Sequence, residues 1–207
     1  MNVIHAMLIR DAMPDDWAAI WPFLRRIVAA GETYCYDRNL AEEQARRLWL
    51  LEPPGRTVVA VDADHAVLGT AKMHANQGGP GAHVATASFM VDPQHGGRGV
   101  GRALGEHVLA WARAQGYRAM QFNAVVETNT GAVALWRSLG FKILATVPAA
   151  FITQCTATSG CTSCTVICEC PPPPTNPDME TYRGLSRVKN PDMSPCREGE
   201  RGNGGTF

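Results

Sequence analysis

No run of eighteen or more apolar residues interrupts the 207-residue chain, so the sequence offers no helix long enough to span a membrane. Net charge is missing as well. The 19 Lys and Arg balance 19 Asp and Glu, which leaves no long-range field to gather polyphosphate, and a sequence-independent grip on nucleic acid is not expected. Any anion site must therefore be local. Met1 to Arg10 lacks the basic region, apolar stretch and small-residue cleavage site of a secretory signal, and the cytoplasm is the expected compartment. Nowhere does Gly-Lys precede Ser or Thr, which excludes a P-loop.

One further scarcity is regional. Residues 152–207 contain no Trp and six residues of the Leu, Ile, Val and Phe types, against six Cys and seven Pro. Such a composition cannot bury enough apolar area to offset chain entropy. Residues 1–151 differ throughout: they hold all five Trp, a single cysteine (Cys35), and 14 basic against 13 acidic residues. The expected organisation is a globular domain over 1–151 followed by a Cys/Pro-rich, disordered tail over 152–207.

Within the first part, periodicity alternates between two and about 3.6 residues. Met7 to Arg10 reads as a strand. Pro14-Asp15-Asp16 then opens a helix with Trp17, Ile20, Trp21, Leu24, Ile27 and Val28 on one face, stopped by Gly31. A polar and aromatic loop, Glu32 to Asp37, leads to a second helix of about ten residues from Ala41. Thr57 to Val61 and Val67 to His74 form a hairpin, and Val84 to Val91 is a third β-type run. A helix over Gly101 to Gly116, a strand over Ala119 to Val126, a short helix over Asn129 to Leu139 and a strand over Phe141 to Val147 complete the order.

The junction after Val91 carries the chemistry. Gln94-His95-Gly96-Gly97-Arg98-Gly99-Val100-Gly101 is a glycine-rich turn between a strand and a helix. It presents unpaired N–H groups at the positive end of a helix dipole, a cradle for phosphate. A dinucleotide fingerprint would need glycine at 102 or 104, where Arg102 and Leu104 stand.

The loop resembles that of the GCN5-related N-acetyltransferase (GNAT) superfamily, which reads Gln/Arg-x-x-Gly-x-Gly/Ala. Gly99 and Gly101 occupy the glycine positions, and Gly96 stands where Gln or Arg is usual. A second block, from Asn129-Thr130-Gly131-Ala132 through Leu135-Trp136 to Gly140-Phe141, is similar to the same superfamily's Asn-x-x-Ala-x-x-Leu-Tyr-x-x-x-Gly-Phe. The Glu32 to Tyr36 region resembles the phosphinothricin-acetyltransferase-like branch.

The resemblance implies an α/β GNAT fold, a mixed and mostly antiparallel sheet flanked by helices. It implies acetyl-CoA as co-substrate and acetyl transfer to a primary amine of a small molecule, by direct attack in a ternary complex. The matching cofactor positions are Phe89, Met90, Val91, Gly97, Arg98, Gly99, Val100, Gly101, Arg102 and Asn129. Backbone groups near Met90 and Val91 would pair with the pantetheine arm like a missing strand. Trp136 stands at the position of the proton donor, usually Tyr; an indole donates hydrogen bonds only, and packing in the core is its expected role. Glu32 is the candidate base, with His74 and Glu127 behind it. No metal, nucleic-acid or membrane partner is implied, and a homodimer is left open.

The tail admits two other readings. Cys161-x-x-Cys164 is a zinc-compatible spacing, although Cys168-x-Cys170 is a poor second knuckle. It supports the rival class, a non-catalytic CoA-binding or zinc-binding interaction protein. Shifting the codon frame of residues 152–168 by one base is compatible with a strand-like peptide ending at a stop codon over Cys168 and Glu169. A one-nucleotide deletion just after the Phe151 codon is thus expected, with loss of the superfamily's terminal strand.

Overall fold

The computed structural model describes residues 7–152 and 162–169, all inside one compact unit bounded at Pro173. The chain runs β1 (Leu8–Asp11), α1 (Trp17–Ala30), α2 (Glu42–Trp49), β2 (Arg56–Val61), β3 (Val67–Ala75), β4 (Val84–Val91), α3 (Val100–Ala114), β5 (Ala119–Val126), α4 (Thr130–Ser138), β6 (Lys142–Ile152) and β7 (Thr162–Glu169). The strands make a seven-stranded sheet in the order β1-β2-β3-β4-β5-β7-β6. Only β4 and β5 are parallel among these pairs. Among the described residues no helix is long and apolar enough to cross a membrane.

The unbroken apolar run Val58–Val61 is explained by burial on both sheet faces. Val58 and Ala60 join the core beneath α3, with Met73, Leu104 and Val108. Val59 and Val61 point the other way, into the core beneath α1 and α2, with Ile20, Phe23, Leu24 and Trp49. The α1 stripe Trp17, Ile20, Leu24 and Val28 follows helical spacing. Gly31 ends that helix in the left-handed region at φ 65°, its N–H bonded to the Val28 carbonyl at 3.0 Å.

Polar bonds fix α2 to the sheet. The Trp49 indole donates to the Thr70 hydroxyl at 3.1 Å, which donates to the Val58 carbonyl at 2.8 Å. Nearby, the Thr57 hydroxyl donates to the Trp49 carbonyl at 2.7 Å. At the start of α1, Arg10 grips both oxygens of Asp16 at 2.7 and 2.8 Å, and the Met13 N–H adds a third bond at 2.6 Å. The hydrogen bonds from Arg10 hold the Asp16 carboxyl below its ordinary pKa.

One expectation is corrected. The terminal strand anticipated as lost is present in the given reading frame: β7 lies between β5 and β6, antiparallel to both. Its physical basis is local. The segment Thr162 to Ile167 concentrates Thr, Val and Ile, which favour extended backbone, and the edges of β5 and β6 offer unpaired ladder groups on either side. Averaging composition over the whole tail concealed this short run. Of the cysteines weighed for zinc, Cys161 and Cys170 lie outside the described residues.

Candidate active site

The site is built where the sheet comes apart. β4 and β5 pair at only two positions, Val84↔Ala119 and Ala85↔Met120. Beyond them β5 takes β7 as its antiparallel neighbour, beginning at Gln121↔Glu169. The stretch Ala87–Val91 of β4 is left with β3 on one side and an opening on the other.

Strand alternation decides which backbone groups face that opening. The Asn76 N–H bonds the Val84 carbonyl at 2.7 Å and the Asp92 N–H bonds the Leu68 carbonyl at 3.0 Å, so even-numbered residues of β4 turn to β3. Odd-numbered Ala87, Phe89 and Val91 therefore turn to the opening. The Tyr34 hydroxyl, arriving from the α1–α2 loop, donates to the Phe89 carbonyl and marks that free edge directly. Met90 has its backbone in the β3 ladder opposite Thr70 and its side chain in the core beneath α1.

The opening holds a cavity of about 360 Å³. Phe89, Phe122 and Trp136 form its aromatic wall, with the Trp136 ring 4.7 Å from Phe89 and 4.8 Å from Phe122. Trp136 reaches this place because α4 packs closely on α3: a Cβ at Gly105 would stand 2.8 Å from Leu139 and 3.1 Å from the Trp136 ring. Buried to 6% exposure, Trp136 is a wall residue.

The glycine loop leads into the same cavity through Pro93 and Gly101, both in its lining. Asp92 caps a short turn by accepting from the Gln94 N–H at 3.0 Å. Gly99, at φ 81°, is the N-cap of α3, and the first intrahelical bond runs from the Ala103 N–H to its carbonyl at 3.0 Å. The amides of Val100, Gly101 and Arg102 thus precede the helical ladder. A Cβ built at Gly97 or Gly99 would meet nothing within 4 Å, so the loop just ahead of these amides borders open space. Val100 is buried as a whole residue, at 1% exposure, whereas Gly101 is half-buried and Arg102 exposed. The guanidinium of Arg98 lies 3.0 Å from His95, and that of Arg102 donates to the Ser138 hydroxyl at 2.8 Å.

Phe89, Met90, Val91, Gly101, Asn129 and Trp136 all border one cavity. Asn129 has a capping role there: its side-chain oxygen accepts from the Ala132 N–H at 3.2 Å and starts α4. Glu32 is exposed on the α1–α2 loop, outside the lining, although its neighbours Thr33 and Tyr34 belong to it. Glu127 is exposed past the end of β5, and His74, on β3, has its Nδ1 2.7 Å from the Ala75 carbonyl.

Two residues escape sequence reasoning. Tyr34 is one; its only sequence signal is the aromatic Tyr34-Cys35-Tyr36 in a helix connection. Burial pushes its phenol pKa up, reinforced by Tyr36 and opposed by the bond to Phe89. Lys72 is the other. Its ammonium donates to the Leu48 carbonyl at 2.8 Å and lies 5.4 Å from the Trp49 ring and 5.8 Å from the Tyr36 ring. Burial lowers its pKa.

The sequence pattern of the Acetyltransferase (GNAT) family matches residues 17–141. A GCN5-related N-acetyltransferase from Kribbella flavida is 55% identical, with a TM-score of 0.76 over 80% of this chain and 98% of its own. A GNAT-superfamily phosphinothricin acetyltransferase from Sinorhizobium meliloti, solved in complex with acetyl-CoA, is 25% identical, with a TM-score of 0.71 over 80% of this chain and 88% of its own. The N-acetyltransferase aca1 of Schizosaccharomyces pombe is 25% identical over 133 residues, 58% of this chain. The match covers 64% of that curated relative, less than two thirds of its length.

Proposed function

The chain belongs to the GNAT acetyltransferase family, and from that premise we propose that it moves the acetyl group of acetyl-CoA to a primary amine of a small molecule, by direct attack in a ternary complex. The observation that carries the reading is the free β4 edge at Phe89 and Val91, placed between an open α3 N-terminus and an aromatic-walled cavity. When bound, acetyl-CoA supplies a thioester activated towards amines.

The chain's own groups then divide the work. The amides of Val100, Gly101 and Arg102 suit the pyrophosphate, since they lie at the helix N-terminus and carry partial positive charge. Phe89 and Val91 offer N–H and C=O groups to an extended arm, as a sheet edge accepts a strand. An amide on that edge is placed to polarise the thioester carbonyl. Phe89, Phe122 and Trp136 keep water from the reacting carbon. Glu32, next to the lining residue Thr33, takes the proton that the amine sheds, directly or through water. The acceptor is read as a small free amine or amino acid analogue, supported by the likeness to the phosphinothricin acetyltransferase. A reaction that draws on acetyl-CoA favours a cytoplasmic setting.

A thermal-shift titration with acetyl-CoA, followed by release of CoA thiol across a panel of primary amines, tests the reading. Binding to the native state must raise the midpoint. Gly99→Glu puts a side chain at a left-handed position and a negative charge at the phosphate cradle. It is expected to weaken binding by about a hundredfold or more. Undiminished affinity in that variant, or no thiol release with any amine, would overturn the assignment.

A further inference from the structure

Aminolysis of a thioester leaves a sulfur that needs a proton, and the wall residue Trp136 cannot supply one. An indole N–H donates hydrogen bonds but is not a practical acid. Resting on the acetyl-transfer reading above, we propose that Tyr34 is the proton donor to the departing CoA sulfur.

Four observations place it there. Among the described residues lining the cavity, Tyr34 carries the one phenol; Thr33 and Ser88 bring alkyl hydroxyls, much weaker acids. Its hydroxyl sits on the Phe89 carbonyl, on the free β4 edge where the thioester arm is expected to lie. Phe89 connects the two walls: Tyr34 bonds its carbonyl on one side, and Trp136 packs against its ring at 4.7 Å on the other. Finally, the Tyr34 ring is held in place by stacking on Tyr36 at 5.6 Å and by an edge contact with Trp49 at 6.3 Å.

The resting bond to Phe89 suits the role. Turning about the phenolic C–O bond redirects the proton without moving the ring, and a carbonyl oxygen has a second lone pair for an incoming N–H. In the reaction the amine nitrogen bonds to the acetyl carbon and the C–S bond breaks, its electron pair leaving on sulfur. The Tyr34 proton goes to that sulfur, giving CoA thiol. The proton shed by the nitrogen goes to Glu32 or water and from there restores the phenol. A phenol is protonated at neutral pH; burial makes that of Tyr34 a weaker acid, and the same dry surroundings raise the proton affinity of the thiolate it would serve.

Tyr34→Phe keeps the ring and its packing, and Tyr36→Phe serves as the control on the stacked neighbour. The expected result for Tyr34→Phe is acetyl-CoA binding within about threefold of wild type, with turnover reduced by about 10²- to 10³-fold, the range of a general acid. With the acetyl thioester of 5-thio-2-nitrobenzoate, whose leaving thiolate needs no proton, the deficit should shrink to less than about tenfold. A binding measurement gives an independent readout: wild type should prefer CoA over desulfo-CoA, and Tyr34→Phe should lose that preference. Equal deficits on both thioesters with the preference intact would reduce Tyr34 to a prop for the Phe89 carbonyl and overturn the proposal, as would near-normal turnover. If wild type binds acetyl-CoA but releases no thiol to any amine, the acetyl-transfer reading itself fails and Tyr34 falls with it.

Discussion

The two halves of the sheet are built to different standards, and the site lies between them. β3 and β4 pair without interruption over seven positions, from Gly69↔Val91 to Ala75↔Ala85, and helices cover both faces. In the second half, β5–β7 shifts register once and β6–β7 shifts twice. β6 exposes Leu144 at 53%, Val147 at 44% and Ile152 at 80%, whereas Val58 to Val61 on β2 are fully buried. The difference separates two tasks. A tightly packed half holds the glycine loop and the free β4 edge in fixed geometry, and the second half diverges from it to leave the cavity.

The comparison can be broken most severely by removing β7. Ending the chain at Ile152 would leave β5 and β6 with exposed ladder groups beside an apolar edge. The expected outcome is loss of the discrete peak that the full chain gives in size-exclusion chromatography, whereas ending it at Pro173 should preserve that peak. Equal behaviour of the two truncations would show that β7 does not hold the second half.

Next in size is a core deletion, set against the same kind of truncation at an exposed apolar side chain. Met73→Ala, on β3 and fully buried, should cost about 2–5 kcal/mol in denaturant unfolding. A smaller contrast tests the first half alone. Asp16→Asn should cost about 1–2 kcal/mol near neutral pH, since it breaks a bidentate, charge-assisted pair with Arg10. Because the folded-state pKa of Asp16 is depressed, its contribution is present above the ordinary value of 3.8 and is lost as pH falls through the lower, folded value. Wild type and variant should thus converge in acid, and a constant gap down to acid pH would exclude the linkage. Smallest is the partner of the core deletion. Leu144→Ala on β6 should change stability by less than about 0.5 kcal/mol. Similar losses from Met73→Ala and Leu144→Ala would erase the distinction between the halves.

Most of the first half was legible because its signals are periodic. The α1 stripe, the Thr57 to His74 hairpin and the strand-turn-helix junction at Val91 to Gly101 each follow from local spacing, and the structure places them within a residue or two. The site was legible as a cavity border but not in its phase. Alternation states that every second residue of β4 faces the opening, yet only the β3 register reveals that these are Phe89 and Val91, with Met90 turned away. Tyr34 and Lys72 were hidden for another reason: their partners, the Phe89 and Leu48 carbonyls, are 55 and 24 residues distant in sequence. β7 was missed because a short strand does not alter the average of a long polar tail.

The central claim is that the seam between β4 and β5 receives acetyl-CoA along the free β4 edge. Amide hydrogen exchange, with and without saturating acetyl-CoA, tests it most directly. The account predicts slowed exchange at Phe89, Val91 and Val100 to Arg102, with Leu144 to Val147 of β6 unchanged. Protection confined to other segments, or none at these amides under conditions where acetyl-CoA is bound, would contradict it.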